Sequence, residues 1–215
     1  MTYIIMAGGV YYYNKWLTKI LDETVIEHTI RLLQEHGVRD IAISTTHDDL
    51  FADLGVPLIH HNNPFDTADP LTRWVDAFCL SADPVCYLFG DVYYSTAAIK
   101  KIVEYQTDSV MFFASAPPFA PEYIKLHAEP FAFKVADPKR FNDAVRFVKD
   151  NAGRGIYNRE PISWEVWQAV CGSRPNEIIY NYEPVNDYTC DIDGEEDARR
   201  LEEVLHGANT KSNTN

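Results

Sequence analysis

Gly8 and Gly9 close a short apolar run, Tyr3-Ile4-Ile5-Met6-Ala7, and Lys15 follows them. Adjacent glycines let backbone amides come close to a ligand, and such amides bind phosphate oxygens. A lysine just beyond adds a mobile point charge for the same phosphates. Asp91 follows a second apolar run, Val85-Cys86-Tyr87-Leu88-Phe89, after Gly90. A carboxylate there can hold a hard divalent cation, which takes oxygen ligands and keeps several waters. Asp191-Ile192-Asp193 stands far along the chain, before the final helical stretch. Each feature also has a plain structural reading. Gly8-Gly9 can be a turn beside a surface lysine, Asp91 can cap a helix or turn, and Asp193-x-x-Glu196 fits a capping box. Two nucleotide motifs are excluded. Gly9 to Trp16 has Walker spacing, but Asn14 replaces the second glycine and Trp16 the magnesium-holding Ser/Thr. A GxGxxG dinucleotide fingerprint is absent.

The elements that must position these residues follow from periodicity. Continuous apolar runs at 3–7 and 85–89 read as strands buried on both faces, and 40–44, 57–60 and 109–115 as further strands. Val25, Ile26, Thr29, Ile30 and Leu33 repeat at helical spacing. Thr24-x-x-Glu27 supplies a capping box at the start and Gly37 a stop, so a helix is expected over 24–36. Further helices are expected near 47–54, 70–81 and 95–105. Strands alternating with helices imply βαβ units. The fold expected is α/β: a Rossmann-like mixed, mostly parallel sheet flanked by helices. Beyond a Pro- and Ala-rich stretch (116–129), a strand is expected at 130–135 and a helix at 138–151. A loop at 152–162, a short helix at 164–170, a strand at 178–180 and a closing helix at 195–205 follow. One domain over 1–205 and a disordered tail at 206–215 complete the expectation. In an open parallel sheet, ligands bind beyond the carboxyl ends of the strands. The loop after the first strand, the loop Asn62–Asp69 and Asp91 all fall there.

Composition narrows the classes. The 215 residues are 46% hydrophobic, enough for a buried core. Nineteen basic against 32 acidic residues leave a net charge of −13, which repels nucleic-acid backbones. No apolar run approaches the ~20 residues of a membrane span, and the N-terminus lacks a basic region before its short apolar stretch. The four cysteines form no CxxC pair. A soluble cytoplasmic protein is expected, binding neither nucleic acid nor membrane. The tyrosine and tryptophan content would suit a homodimer interface.

At this level the chain resembles the sugar-phosphate nucleotidyltransferase family, the NTP transferases of the GT-A-like fold. Tyr3-Ile-Ile-Met-Ala-Gly-Gly9 matches its opening strand and glycine loop, and Lys15 to Leu33 follows its lysine, linker and first helix. Leu88-Phe-Gly-Asp91 matches the segment whose aspartate holds magnesium. Asp191-Ile-Asp-Gly-Glu-Glu-Asp197 resembles the element whose second aspartate, here Asp193, completes the metal site. Asp66-Thr67-Ala68 stands where the family contacts the nucleotide base. The resemblance spans about 3–115 and 186–205 and is weak between. It implies nucleotide binding by Ala7, Gly8, Gly9 and Thr67, catalysis by Lys15, and Mg2+ held by Asp91 and Asp193. The family's loop usually carries an arginine on the triphosphate. Gly8-Gly9-Val10-Tyr11-Tyr12-Tyr13 has none, which leaves that role to Lys15 or Lys19.

The reaction so implied is attack by a phosphorylated small molecule, such as a sugar phosphate, on the α-phosphorus of an NTP, with release of pyrophosphate. Residues 116–185 are expected to supply the acceptor pocket, with Glu129, Lys134, Arg154 and Trp164 as candidates. For Trp164 and Trp167, packing is the simpler reading, and a solvated strand face accounts equally well for Lys134. His60 and His61 are neighbours on a strand and point to opposite faces, so no shared site is expected. His28 is expected to pack within its helix or lie at the surface. Two other functions compete. A glycosyltransferase of the same architecture would want an acid-x-acid pair, which Asp91-Val92-Tyr93 lacks. A non-catalytic nucleotide-binding domain would bind NTP without releasing pyrophosphate.

Overall fold

The computed structural model describes residues 1–8, 15–61, 69–115, 128–177, 179 and 181–212. In chain order the strands and helices are β1 (Thr2–Met6), β2 (Lys19–Ile20), β3 (Glu23–Thr24), α1 (Val25–Glu35), β4 (Ile41–Thr45) and β5 (Leu58–His60). Next come α2 (Arg73–Asp76), β6 (Val85–Phe89), β7 (Val92–Tyr93), α3 (Thr96–Glu104), β8 (Val110–Ala114) and β9 (Pro130–Val135). The chain continues with α4 (Pro138–Asn151), α5 (Ser163–Cys171), β10 (Glu183–Pro184), β11 (Cys190–Asp191) and α6 (Glu195–Ser212). Among the described residues the central sheet has seven strands in the order β10-β8-β9-β6-β1-β4-β5.

β1 lies in the middle of the parallel part, paired to β4 on one side and β6 on the other. Its residues alternate between two cores. Tyr3 and Ile5 pack with α1 and α3 residues such as Ile26, Leu33 and Ile99. Ile4 faces the opposite layer, which holds Phe141, Val145 and Val148 of α4 and Trp167 of α5. β6 alternates likewise, Cys86 and Leu88 against Val85 and Tyr87. Helices on both faces explain why both strands read as unbroken apolar runs. β9 runs antiparallel between β6 and β8, so the sheet is mixed and mostly parallel.

α1 begins as its sequence dictates. The Thr24 side chain accepts the Glu27 N–H, and the Glu27 carboxylate accepts the Thr24 N–H at 3.0 Å. Removing such a cap costs about 1 kcal/mol. Two expectations need correction. The helix expected over 70–81 is only Arg73–Asp76, and Thr72 makes no side-chain cap there. Phe78 leaves the helix to enter an aromatic cluster, 5.3 Å from Tyr87 and 5.2 Å from Phe141, while Leu71 and Leu80 stay exposed. The closing helix runs to Ser212 instead of ending at Leu205, so the tail is helical over that stretch. The expected strand at 178–180 lies largely outside the described residues, and the sheet edge is β10.

A third core anchors the C-terminal elements. Ile192, Ala198 and Leu201 pack with Ile20, Val25 and Tyr93. β11 pairs antiparallel with β7, with Asp191 opposite Val92 and Cys190 opposite Tyr93.

Candidate active site

The ends of β1 and β6 lie side by side, with Met6 opposite Phe89. Gly90 donates to Met6 O at 3.0 Å. A Cβ on Gly90 would lie 2.5 Å from that carbonyl oxygen and 3.1 Å from the Trp16 ring. Only glycine allows this approach, so the glycine before Asp91 is explained by packing. Trp16 is buried, sits edge-on to Phe51 at 5.9 Å and fixes the short turn Lys15–Leu17 from which Lys15 projects.

The β7–β11 pair then brings the C-terminal acidic segment alongside. Ile192 donates to Asp91 O at 2.8 Å. The Lys15 ammonium donates to Asp193 Oδ1 at 2.5 Å and lies 3.4 Å from Asp91 Oδ2. Asp193 is therefore beside Asp91 despite its distance in sequence. The capping-box reading of Asp193 does not hold. Glu196 pairs with Arg199 and Arg200 along α6, while the Asp193 N–H donates to Asp197 at 2.9 Å.

Charges in this cluster perturb one another. Burial raises the Asp91 pKa; Lys15 opposes that rise, and Asp191 and Asp193 add to it. For Lys15, burial opposes the charge, but Asp91, Asp193 and Asp191 outweigh it and hold the ammonium above its ordinary value. Beyond the cluster opens a cavity of about 300 Å³. Trp74, Phe78, Phe89 and Trp164 give it aromatic walls, and Glu129, Asp191 and Arg159 add charge. Glu129 is buried and accepts the Asp191 N–H at 3.2 Å, which ties β11 to the start of β9. Arg159 donates to the buried Glu165 at 3.0 Å.

The other predicted residues divide. Ala7 is fully buried, its N–H donated to Ser44 O and its carbonyl accepting from Thr45 Oγ1, so its backbone serves the sheet. Gly8 lies against the His61 ring, where a Cβ would sit 2.3 Å from Nε2. Gly9 and Thr67 fall outside the described residues. Lys134 needs correction: it is buried and its ammonium donates to the Ile102 and Val103 carbonyls at 2.9 and 2.7 Å, at the end of α3. It does not line the cavity, nor is it solvated. Trp164 does line it, packed edge-on to Phe112 at 4.9 Å. Trp167 belongs to the core. Trp74 and Arg159 lie on segments with no recognisable motif, and the resemblance assigns a metal role to Asp193 but none to Asp191.

The donor set suits a hard cation. Two carboxylates share one ammonium, at 2.5 and 3.4 Å, and carboxylate oxygens are the ligands that a hard cation takes. No group of three or more His, Cys, Asp or Glu side chains arranged for a metal is found among the described residues. Remaining ligands would then be phosphates and water, as is usual for magnesium.

No family profile matches the chain, and no curated protein does. Solved structures do. A protein described as a glucose-1-phosphate thymidylyltransferase of Bacillus anthracis, in complex with a sucrose, superimposes with a TM-score of 0.60 at 17% identity, covering 94% of each chain. The chain shares the fold of that structure. The CTP:phosphocholine cytidylyltransferase of Streptococcus pneumoniae gives 0.52 at 17% identity, over 95% of this chain and 98% of that one. The 4-diphosphocytidyl-2C-methyl-D-erythritol synthase of Anaerococcus prevotii gives 0.61 at 12%, over 95% of both. At these identities the likeness concerns the fold. Among the described residues no helix is long and apolar enough to cross a membrane.

Proposed function

We propose that this protein is a magnesium-dependent nucleotidyltransferase that moves NMP from an NTP to a phosphorylated small molecule, such as a sugar phosphate. The single observation behind this reading is the Lys15 ammonium held between Asp91 and Asp193, at the carboxyl ends of β1 and β6 and at the mouth of a cavity. An acceptor phosphate oxygen attacks the α-phosphorus, the bond to the β-phosphate oxygen breaks, and pyrophosphate leaves. The attacking oxygen is already anionic, so no strong general base is needed. The main obstacle is charge, because two polyanions must meet. Asp91 and Asp193 would hold magnesium, which when bound neutralises phosphate charge. Lys15 would turn to the triphosphate and stabilise the leaving pyrophosphate. The cavity beside Glu129 and Trp164 would seat the acceptor.

A pyrophosphate-release screen tests this directly. Four NTPs are crossed with phosphorylated sugars and phosphorylated small alcohols in magnesium. Release with at least one pair, lost in Asp193→Asn, is expected. NTP binding without release from any pair would leave a binding domain as the better reading.

A further inference from the structure

The Lys15 ammonium reaches both carboxylates assigned to the metal, at 2.5 Å from Asp193 and 3.4 Å from Asp91. It therefore lies between the two carboxylates that a divalent ion would have to share. A positive charge there repels a second cation directly. Trp16 pins the backbone of the turn, but the lysine stem has four rotatable carbons and can swing without moving it. Among the described residues no group of three or more His, Cys, Asp or Glu side chains is arranged to hold a metal.

We infer that Lys15 is the resident counter-ion of Asp91 and Asp193, and that a divalent cation takes the pair only when a triphosphate draws the lysine away. Metal and nucleotide then bind together rather than in sequence. This rests on the assignment of the two carboxylates in the proposed function. A triphosphate does two things at once: it offers oxygen ligands to the metal and a stronger anionic partner to Lys15. By linkage, the nucleotide tightens metal binding by the same factor that the metal tightens nucleotide binding. Part of the negative charge of the site is thereby balanced before metal binds, at the cost of weak affinity for metal alone. The same side chain serves as a plug in one state and as a phosphate donor in the other.

The test uses the full-length protein and Mn2+ alone, followed by the electron paramagnetic resonance of free Mn2+. Without nucleotide, Lys15→Met is expected to bind Mn2+ at least about tenfold tighter than the wild type, because a competing charge has gone. Lys15→Arg keeps the charge and is expected to stay as weak as the wild type. Lys15→Gln repeats the Met measurement should that variant fold poorly, with circular dichroism confirming the fold. Adding an α,β-methylene NTP analogue should tighten Mn2+ binding strongly in the wild type and less in Lys15→Met. Equal or weaker Mn2+ binding by both neutral variants would overturn the inference. The two readings fail separately. If the wild type releases pyrophosphate but the neutral variants gain no Mn2+ affinity, only the counter-ion role falls. If they gain affinity but no acceptor supports release, the counter-ion role stands and the transferase reading falls.

Discussion

Ile192 donates its backbone N–H to the carbonyl of Asp91 at 2.8 Å, and this bond sets Asp193 beside Asp91. It extends the short β7–β11 ladder by which the end of the chain returns to the end of β6. Asp193 then follows directly beside Asp91. Ile192 itself is fully buried among Ile20, Val25, Tyr93 and Leu201. Ile192→Ala should therefore cost about 2–5 kcal/mol through the cavity it leaves. It should also loosen Asp193 relative to Asp91. Chemical denaturation checks the first effect. Mn2+ binding in the presence of a nonhydrolysable nucleotide checks the second, expected to weaken at temperatures where the variant is still folded. Unchanged metal affinity would mean that α6 alone positions Asp193.

Asp91 is expected to trade stability for function. Burial lifts its pKa; Lys15 opposes this, and the neighbouring carboxylates reinforce it. In the unfolded chain the carboxyl ionises near pH 3.9. Above that pH the folded state holds a proton that the unfolded state has released, so stability falls as pH rises through the folded value. At neutral pH the carboxylate is therefore a net cost. Asp91→Asn should raise the Tm at pH 7.5, by about 2–4 °C for each ~1 kcal/mol recovered. Pyrophosphate release should fall by at least about a hundredfold, as when a transition-state contact is lost. A thermal scan beside the release assay reads both, and a lowered Tm would show that Lys15 gives Asp91 more than burial takes.

Much of this arrangement is legible in the sequence, because local rules and the fold agree. β1 and β6 are unbroken apolar runs followed by glycine, and α4 opens on the capping Asp137 and Pro138. Gly8, Lys15, Asp91 and Asp193 are marked by type and spacing. What escaped depends on contacts between distant segments. Lys134 alternates with Phe133 and Val135 as a surface lysine would. Only the close approach of α3, whose terminal carbonyls need donors, shows why its ammonium points inward. Asp193 looked like a cap because Glu196 follows at the right spacing, yet Arg199 and Arg200 claim Glu196. Trp74 and Arg159 reach the cavity through tertiary packing that no short motif encodes.

Lys134 gives a prediction opposite to that for a binding residue. Its ammonium satisfies the carbonyls of Ile102 and Val103, and burial lowers its pKa. Lys134→Met would keep most of the packing but leave buried acceptors without this donor. The expected loss is about 1–3 kcal/mol of stability. The KM for the acceptor, measured well below the new Tm, should not change. A rise in that KM with stability intact would return Lys134 to the pocket.

His28 should make folding acid-sensitive from within the scaffold that carries Asp91. Its Nε2 lies 2.8 Å from Tyr94 O, just past β7, and its ring stacks on Tyr93 at 4.1 Å. Nδ1 lies 3.0 Å from the Arg31 guanidinium and 3.2 Å from Glu23. A neutral ring donating to Tyr94 O and accepting from Arg31 fits this network. Burial lowers the His28 pKa; Tyr94 and Glu23 pull upward, and Arg31 adds to the fall. The unfolded histidine titrates near 6.5. Below that pH the unfolded chain takes up a proton that the folded ring refuses, so stability drops as pH falls toward the folded value. Urea midpoints at pH 7.5 and 5.5 measure the drop, and His28→Gln should make it smaller. Some will remain, because burial lowers the His61 pKa in the same direction. An identical drop in wild type and His28→Gln would mean that the ring protonates equally in both states. The link between α1 and β7 would then rest on packing alone.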